Sequence, residues 1–137
     1  MKRNTSSIQR QRGAAAVEFA VVAPLLFMII IGIVDVGNML FVYNSMLNAA
    51  RETSRSVAVA EETPAQGKSK AEAALNKHHG KKGKTTFTVV VTVPANPSQH
   101  EVKTTISTPL SETMMLDFFN LLSDYNMTAV ASMRKET

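Results

Sequence analysis

The 137-residue chain is long enough for one small domain and an anchor, and too short for two sizeable cores. It has no cysteine, which excludes disulfides and thiolate metal sites, and its lack of tryptophan leaves little for base stacking or a sugar platform. The formal charge of +4 comes from Lys2, Arg3, Arg10 and Arg12, after which the basic side chains balance the 11 acids.

Residues 14–34, AAAVEFAVVAPLLFMIIIGIV, form one apolar run whose single charge is Glu18. About 20 apolar residues in a helix cross the hydrocarbon core of a bilayer, so the run is expected to be a transmembrane helix. Four cations ahead of it and no acid among them predict a cytoplasmic N-terminus and an exported C-terminal part. The rival reading of that leader, a nucleic-acid-binding arm, does not call for an adjoining apolar helix. A cleaved secretion signal has a shorter apolar region with small residues after it. Here Gly13, Ala14, Ala15 and Ala16 stand before the apolar run. Cleavage there would remove the basic leader and keep the helix.

The segment RGAAAVEFAVVAP resembles the type III signal of prepilins and pseudopilins, most closely that of the TadE-like minor pilins of Tad (tight adherence) pilus systems. NAARETSRSVAV resembles the small-residue and arginine segment that follows the membrane helix in that family, and ASMRKE resembles its closing strand. The resemblance covers roughly the first sixty residues well and the last ten weakly. It implies a prepilin peptidase that cuts between Gly13 and Ala14, leaving Glu18 as an acidic partner for the new amine. It also implies as partners other pilins or pseudopilins and the Tad membrane platform, with the subunit in the cytoplasmic (inner) membrane and then in a surface pilus.

The chemistry of these residues agrees with that implication. Glycine before a scissile bond presents an unobstructed backbone. An acid near a helix N-terminus is favourable, and a charge near hydrocarbon calls for a partner. Alternatively, Glu18 is solvated at the headgroup level. Pro24 removes a helical hydrogen bond and is expected to kink or loosen the helix. Gly32 and Gly37 permit close helix approach, or simply face lipid.

Beyond Asp35 the helix is expected to continue to about Ala60 as a stalk. Val36, Leu40, Tyr43, Leu47, Ala50, Ser54 and Val57 make an apolar stripe on it. The stripe packs either on the chain's own domain or among neighbouring subunits. Arg51 and Arg55 lie off it as candidate stalk contacts, with Glu52–Arg55 a candidate i,i+3 pair.

A domain over 63–137 should follow. Ser69 to Glu72 fits a capping box for a short helix with Ala71, Ala74, Leu75 and His78 on its apolar face, ended by Gly80 and Gly83. The basic run 77–84 reads as a solvated loop, with DNA or anionic lipid as the alternative. His78 and His79 lack further ligands for a metal site.

Residues 85–93 and 99–108 alternate as two strands of a hairpin around Pro94 to Pro97. Leu110 to Tyr125 has helical spacing with Ser111 as its cap. That helix should cover the sheet or touch the membrane surface, with Glu112, Asp117 and Asp124 on its polar face. Residues 126–134 alternate as a third strand, and the methionines there are core filling.

The expected fold is α+β: a long N-terminal transmembrane and stalk helix, then a small antiparallel sheet of about three strands with one or two short helices. No catalytic constellation, phosphate loop or metal spacing is present, so an enzyme, a cofactor and a nucleic-acid partner are not expected. The functional expectation is a minor pilin or pseudopilin that assembles or primes a Tad-type adhesion pilus. The alternatives are a permanently anchored assembly or surface protein, and a basic DNA-binding surface protein.

Overall fold

The computed structural model describes residues 5–79, 85–95, 101–114 and 124–135, with side chains from Gly13 onward. Helix α1 spans Thr5–Ala58 and runs through Pro24 without interruption. Helix α2 (Pro64–His79), strands β1 (Thr88–Thr92) and β2 (Glu101–Pro109), the single turn α3 (Leu110–Thr113) and strand β3 (Asn126–Arg134) follow. The architecture is the expected α+β, a long apolar helix followed by a three-stranded antiparallel sheet in the order β1-β2-β3.

The chain divides into two compact units, Met1–Val34 and Asp35–Thr137. The described residues of the first are all helical. Its large apolar side chains from Val17 to Val34 stand exposed except for the half-buried Ile31, and the described residues contain one helix long and apolar enough to cross a membrane.

The second unit has a core because α1 lends it one face. Val42, Met46 and Ala50 of α1 pack with Ala71 and Leu75 of α2, Phe87, and the inward residues Val89, Ile106, Ala129 and Ala131. Strand alternation produces that layer, since β2 buries Val102, Thr104, Ile106 and Thr108 and turns Glu101 and Lys103 to solvent. The strand pairs run from Thr88↔Ser107 to Thr92↔Lys103 and from Glu101↔Arg134 to Pro109↔Asn126.

Three local expectations are corrected. The capping box of α2 lies at Thr63 and Gln66 rather than at Ser69. Gln66 Oε1 accepts from Thr63 N at 2.9 Å, and Thr63 Oγ1 accepts from Gln66 N at 3.3 Å. Pro64 then takes the first helical position, where its missing N–H costs nothing.

The buried face of α2 is Gly67, Ala71 and Leu75, whereas Ala74 and His78 are exposed. Gly67 fits because a Cβ there would meet Thr53 Cγ2 and Val57 Cγ2 at 3.0 Å, so α2 approaches α1 too closely for a larger residue.

The helix read from Leu110 to Tyr125 is a single turn ending at Thr113, after which Met114 is extended. Ser111 lies inside that turn, Pro109 holds the cap position, and no side chain bonds there. Residues 115–123, with Asp117 and the rest of the predicted apolar face, lie outside the described residues. So do Gly80 to Lys84 of the basic run and Asn96 and Pro97 of the predicted turn.

Candidate assembly segment

Gly13 and Ala14 lie within α1, and both are exposed. A Cβ on Gly13 would meet nothing within 4 Å. Glu18 and Pro24 are exposed on the same helix. Among the described residues nothing approaches Gly32 or Gly37 closely enough to require a glycine.

In the second unit, α1 is held by polar contacts as well as by its apolar face. Asn38 Nδ2 donates to the Thr113 carbonyl, tying α1 to α3. Ser54 Oγ lies 2.8 Å from Thr104 Oγ1 and 3.1 Å from the Ala131 carbonyl. One hydroxyl proton serves one acceptor at a time, so Thr104 supplies the proton for one of the two bonds and Ser54 for the other. All of this lies in the core, where an unmade hydrogen bond is costly.

The predicted stripe on α1 is split by the structure. Ala50, Ser54 and Val57 are buried as expected, but Val36 and Leu40 are more than half exposed and Tyr43 is also exposed. The buried line runs instead through Asp35, Val42, Met46, Ala50, Ser54 and Val57. At about 100° per residue, Val42 and Met46 lie roughly 120° and 80° round the helix from Val36, and the two lines meet only at Ala50, Ser54 and Val57. Val36, Leu40 and Tyr43, together with Phe41, form an apolar surface that the other described residues leave largely exposed.

Arg51 and Arg55 are exposed at the far end of α1. Glu52 and Arg55 do not form the expected pair. The ion pairs of the described residues are Lys68–Glu72 at 3.8 Å and Lys70–Glu62 at 2.8 Å.

The turn after α1 carries its own chemistry. Ala60 has φ 58°, with Glu61 N donating to Ser56 O at 3.0 Å and Ala60 N to Val57 O at 3.2 Å. This is a Schellman closure with alanine where glycine is usual. Glu62 accepts from Lys70 and from Ser56 Oγ, and both bonds hold its carboxyl below the ordinary carboxylate range. The same partner raises the Lys70 ammonium. Beside this turn, Val57, Pro64, Val93 and Val102 line a shallow cleft of about 290 Å³ with Glu61 and Lys135 among its polar residues.

At the end of α2, His79 stacks edge-on against Phe41 with centroids 5.2 Å apart and lies 6.0 Å from Phe87. Its Nε2 is shut off from solvent and has no hydrogen-bond partner among the described residues. Burial lowers its pKa, and the neighbouring His78 lowers it further. Among the described residues no group of three metal-ligating side chains comes together.

Sequence reading missed Met46, Ser54 with Thr104, and Gly67. The last had a signal, a glycine within a helical stretch that would favour any other residue. Glu112 also differs from expectation, because its carboxylate accepts from Thr86 N and its carbonyl from Thr85 Oγ1 at 3.3 Å.

No curated protein and no solved structure matches the chain. Helix α1 is long and apolar enough to anchor the chain in a membrane. The model of the family described as TadE-like protein matches residues 13–55, which begins at Gly13, contains Ala14, Glu18 and Pro24, and ends at Arg55; over that segment the chain is similar to the TadE-like proteins of the Tad pilus system.

Proposed function

We propose that this chain is a minor pilin or pseudopilin, inserted once through the inner membrane with its N-terminus cytoplasmic, and used in assembling or priming a Tad-type adhesion pilus. A prepilin peptidase cuts between Gly13 and Ala14, and the new Ala14 amine is neutralised by Glu18 of a neighbouring subunit. The chain acts by insertion and assembly, without a catalytic role.

One observation carries this reading: the family match begins at Gly13, the residue on which a leader-trimming cut depends. The exposed apolar length of α1 supports it, since a helix without internal contacts gains by going into lipid and later by packing on like helices. Gly13 is also the weakest helix former in its surroundings, costing about 1 kcal/mol relative to alanine, so the helix opens most readily there for a peptidase.

Mass spectrometry of the N-terminus of membrane-purified protein tests the cut. The expected first residue is Ala14, and an N-terminus at Met1 or Lys2 sinks the processing claim. Sheared filament fractions test incorporation. Finding the protein only in the membrane would leave it as an anchored assembly factor.

A further inference from the structure

The exposed side of α1 changes character some way beyond Val34. Val36, Leu40, Phe41 and Tyr43 are 51%, 55%, 60% and 36% exposed. The next exposed positions, Asn44, Asn48, Arg51, Glu52 and Arg55, are all polar. Asp35, the one charge on α1 between Glu18 and Arg51, is buried and already engaged. The apolar outside of the helix therefore ends at Tyr43 and not at Val34.

Measured along α1, the stretch from Ala14 to Tyr43 covers about 44 Å at 1.5 Å per residue. A bilayer with both headgroup layers is about 40–45 Å thick, against about 30 Å for its hydrocarbon core. Tyr43 thus falls at headgroup level, where tyrosine is enriched.

Helix α2 brings cations to the same level. It runs back along α1, with Gly67 against Thr53 and Val57, and with the His79 ring 5.2 Å from that of Phe41. Its last turn, Lys77 to His79, is basic, and Lys77 and His78 are exposed. Lys68 and Lys70 of the same helix are paired with Glu72 and Glu62, and no ion pair among the described residues takes Lys77. Beyond His79 the sequence continues through Gly80 to Lys84 with three more lysines and no acid. The residues described next, Thr85 and Thr86, are bonded to Glu112, and the adjoining Thr113 carbonyl accepts from Asn38 of α1. Both flanks of that basic stretch are therefore tied to α1 within two turns of Val34.

We propose that the last turn of α2 lies in the headgroup layer on the C-terminal side of the span, where Lys77 and His78 donate to the phosphate groups of anionic phospholipids and Phe41 sits beneath them. A lysine near such a surface is attracted to it, and salt screens the attraction. Duplex DNA would meet the same cations but leave Val36, Leu40, Phe41 and Tyr43 in water, whereas a bilayer covers both. This placement rests on insertion of α1 into a membrane and not on the pilin reading.

The chain has no native cysteine, so one fluorophore can be attached at a chosen position. Full-length protein is labelled at Ala74→Cys, just before Lys77, or at Ala65→Cys, at the start of α2; both positions are exposed. Each is reconstituted into vesicles whose headgroups carry a nitroxide quencher. Quenching is expected to be stronger for the Ala74→Cys label. It should also be stronger in equal parts phosphatidylcholine and phosphatidylglycerol than in phosphatidylcholine alone. The double change Lys77→Glu/His78→Glu should abolish most of that lipid-dependent difference, as should raised salt.

Equal quenching of the two labels overturns the proposal, as does a lipid-dependent difference that the double variant leaves unchanged. Lys77-dependent binding of duplex DNA with no response to lipid charge overturns it in favour of nucleic acid. Release of the parent protein from membranes by alkaline carbonate would instead remove the anchoring on which the proposal rests.

Discussion

Ser54 on α1 and Thr104 on the central strand β2 share a hydrogen bond of 2.8 Å, and neither side chain has any exposed surface. The same Ser54 hydroxyl reaches the Ala131 carbonyl, so one side chain links the helix to two strands. Ser54→Ala is expected to cost about 1–3 kcal/mol because Thr104 keeps a buried hydroxyl without its partner. The double variant Ser54→Ala/Thr104→Val should lose less than the sum of the two single changes. Denaturant unfolding of all four proteins measures the coupling, and strict additivity would show that the bond contributes nothing.

Ala60 sits in the left-handed region at the close of α1, a conformation that costs an L-residue roughly 1–2 kcal/mol and glycine almost nothing. Ala60→Gly is therefore expected to stabilise the protein by about 1 kcal/mol, after the greater entropy of unfolded glycine is subtracted. A lowered thermal midpoint would contradict this.

The two capping boxes make opposite predictions. Thr63→Ala removes both hydroxyl bonds with Gln66, keeping only the one from the backbone N–H, and should destabilise by about 1 kcal/mol. Ser69→Ala changes an exposed position inside α2 and should leave stability unchanged or slightly raised. Amide exchange in the first turn of α2 separates the two variants: protection falls in Thr63→Ala alone.

Gly67→Ala sets a helix-propensity gain of about 1 kcal/mol against two methyl contacts at 3.0 Å. Thr53 and Val57 are buried β-branched residues with little room to yield, so overpacking of about 1–3 kcal/mol should win. The variant is expected to unfold at lower denaturant than the parent, and an increase would show that α2 can shift away from α1.

Acid should loosen the end of α2 before it affects the rest of the second unit. His79 has a lowered pKa in the folded chain against an ordinary value of 6.5, so the unfolded chain binds the extra proton. Its contribution is complete above 6.5 and is lost as pH falls through the lowered folded value. Glu62 is likewise lowered, but from 4.5, so its contribution disappears only in more acidic solution. Stability measured from about pH 7.5 to about 5.5 should fall, and His79→Phe should flatten that part of the curve. A parent curve with no slope there would rule out the assignment.

The sequence by itself determined the elements whose patterns are local. An apolar run without acids after Glu18 had to be a long helix, and the alternation in 126–134 predicted the strand Asn126–Arg134 to the residue. The inward faces of β2 and β3 were legible for the same reason, since period-two alternation fixes both sides of a strand at once. Tertiary structure decided the rest. Which of two neighbouring lines of α1 is buried depends on where the sheet lies, because Val36, Leu40 and Tyr43 are as apolar as the residues that won. Ser54 and Thr104 read as ordinary polar residues until the fold brings them together across 50 positions of chain. A pattern along the chain records periodicity, whereas a partner is a matter of distance in space.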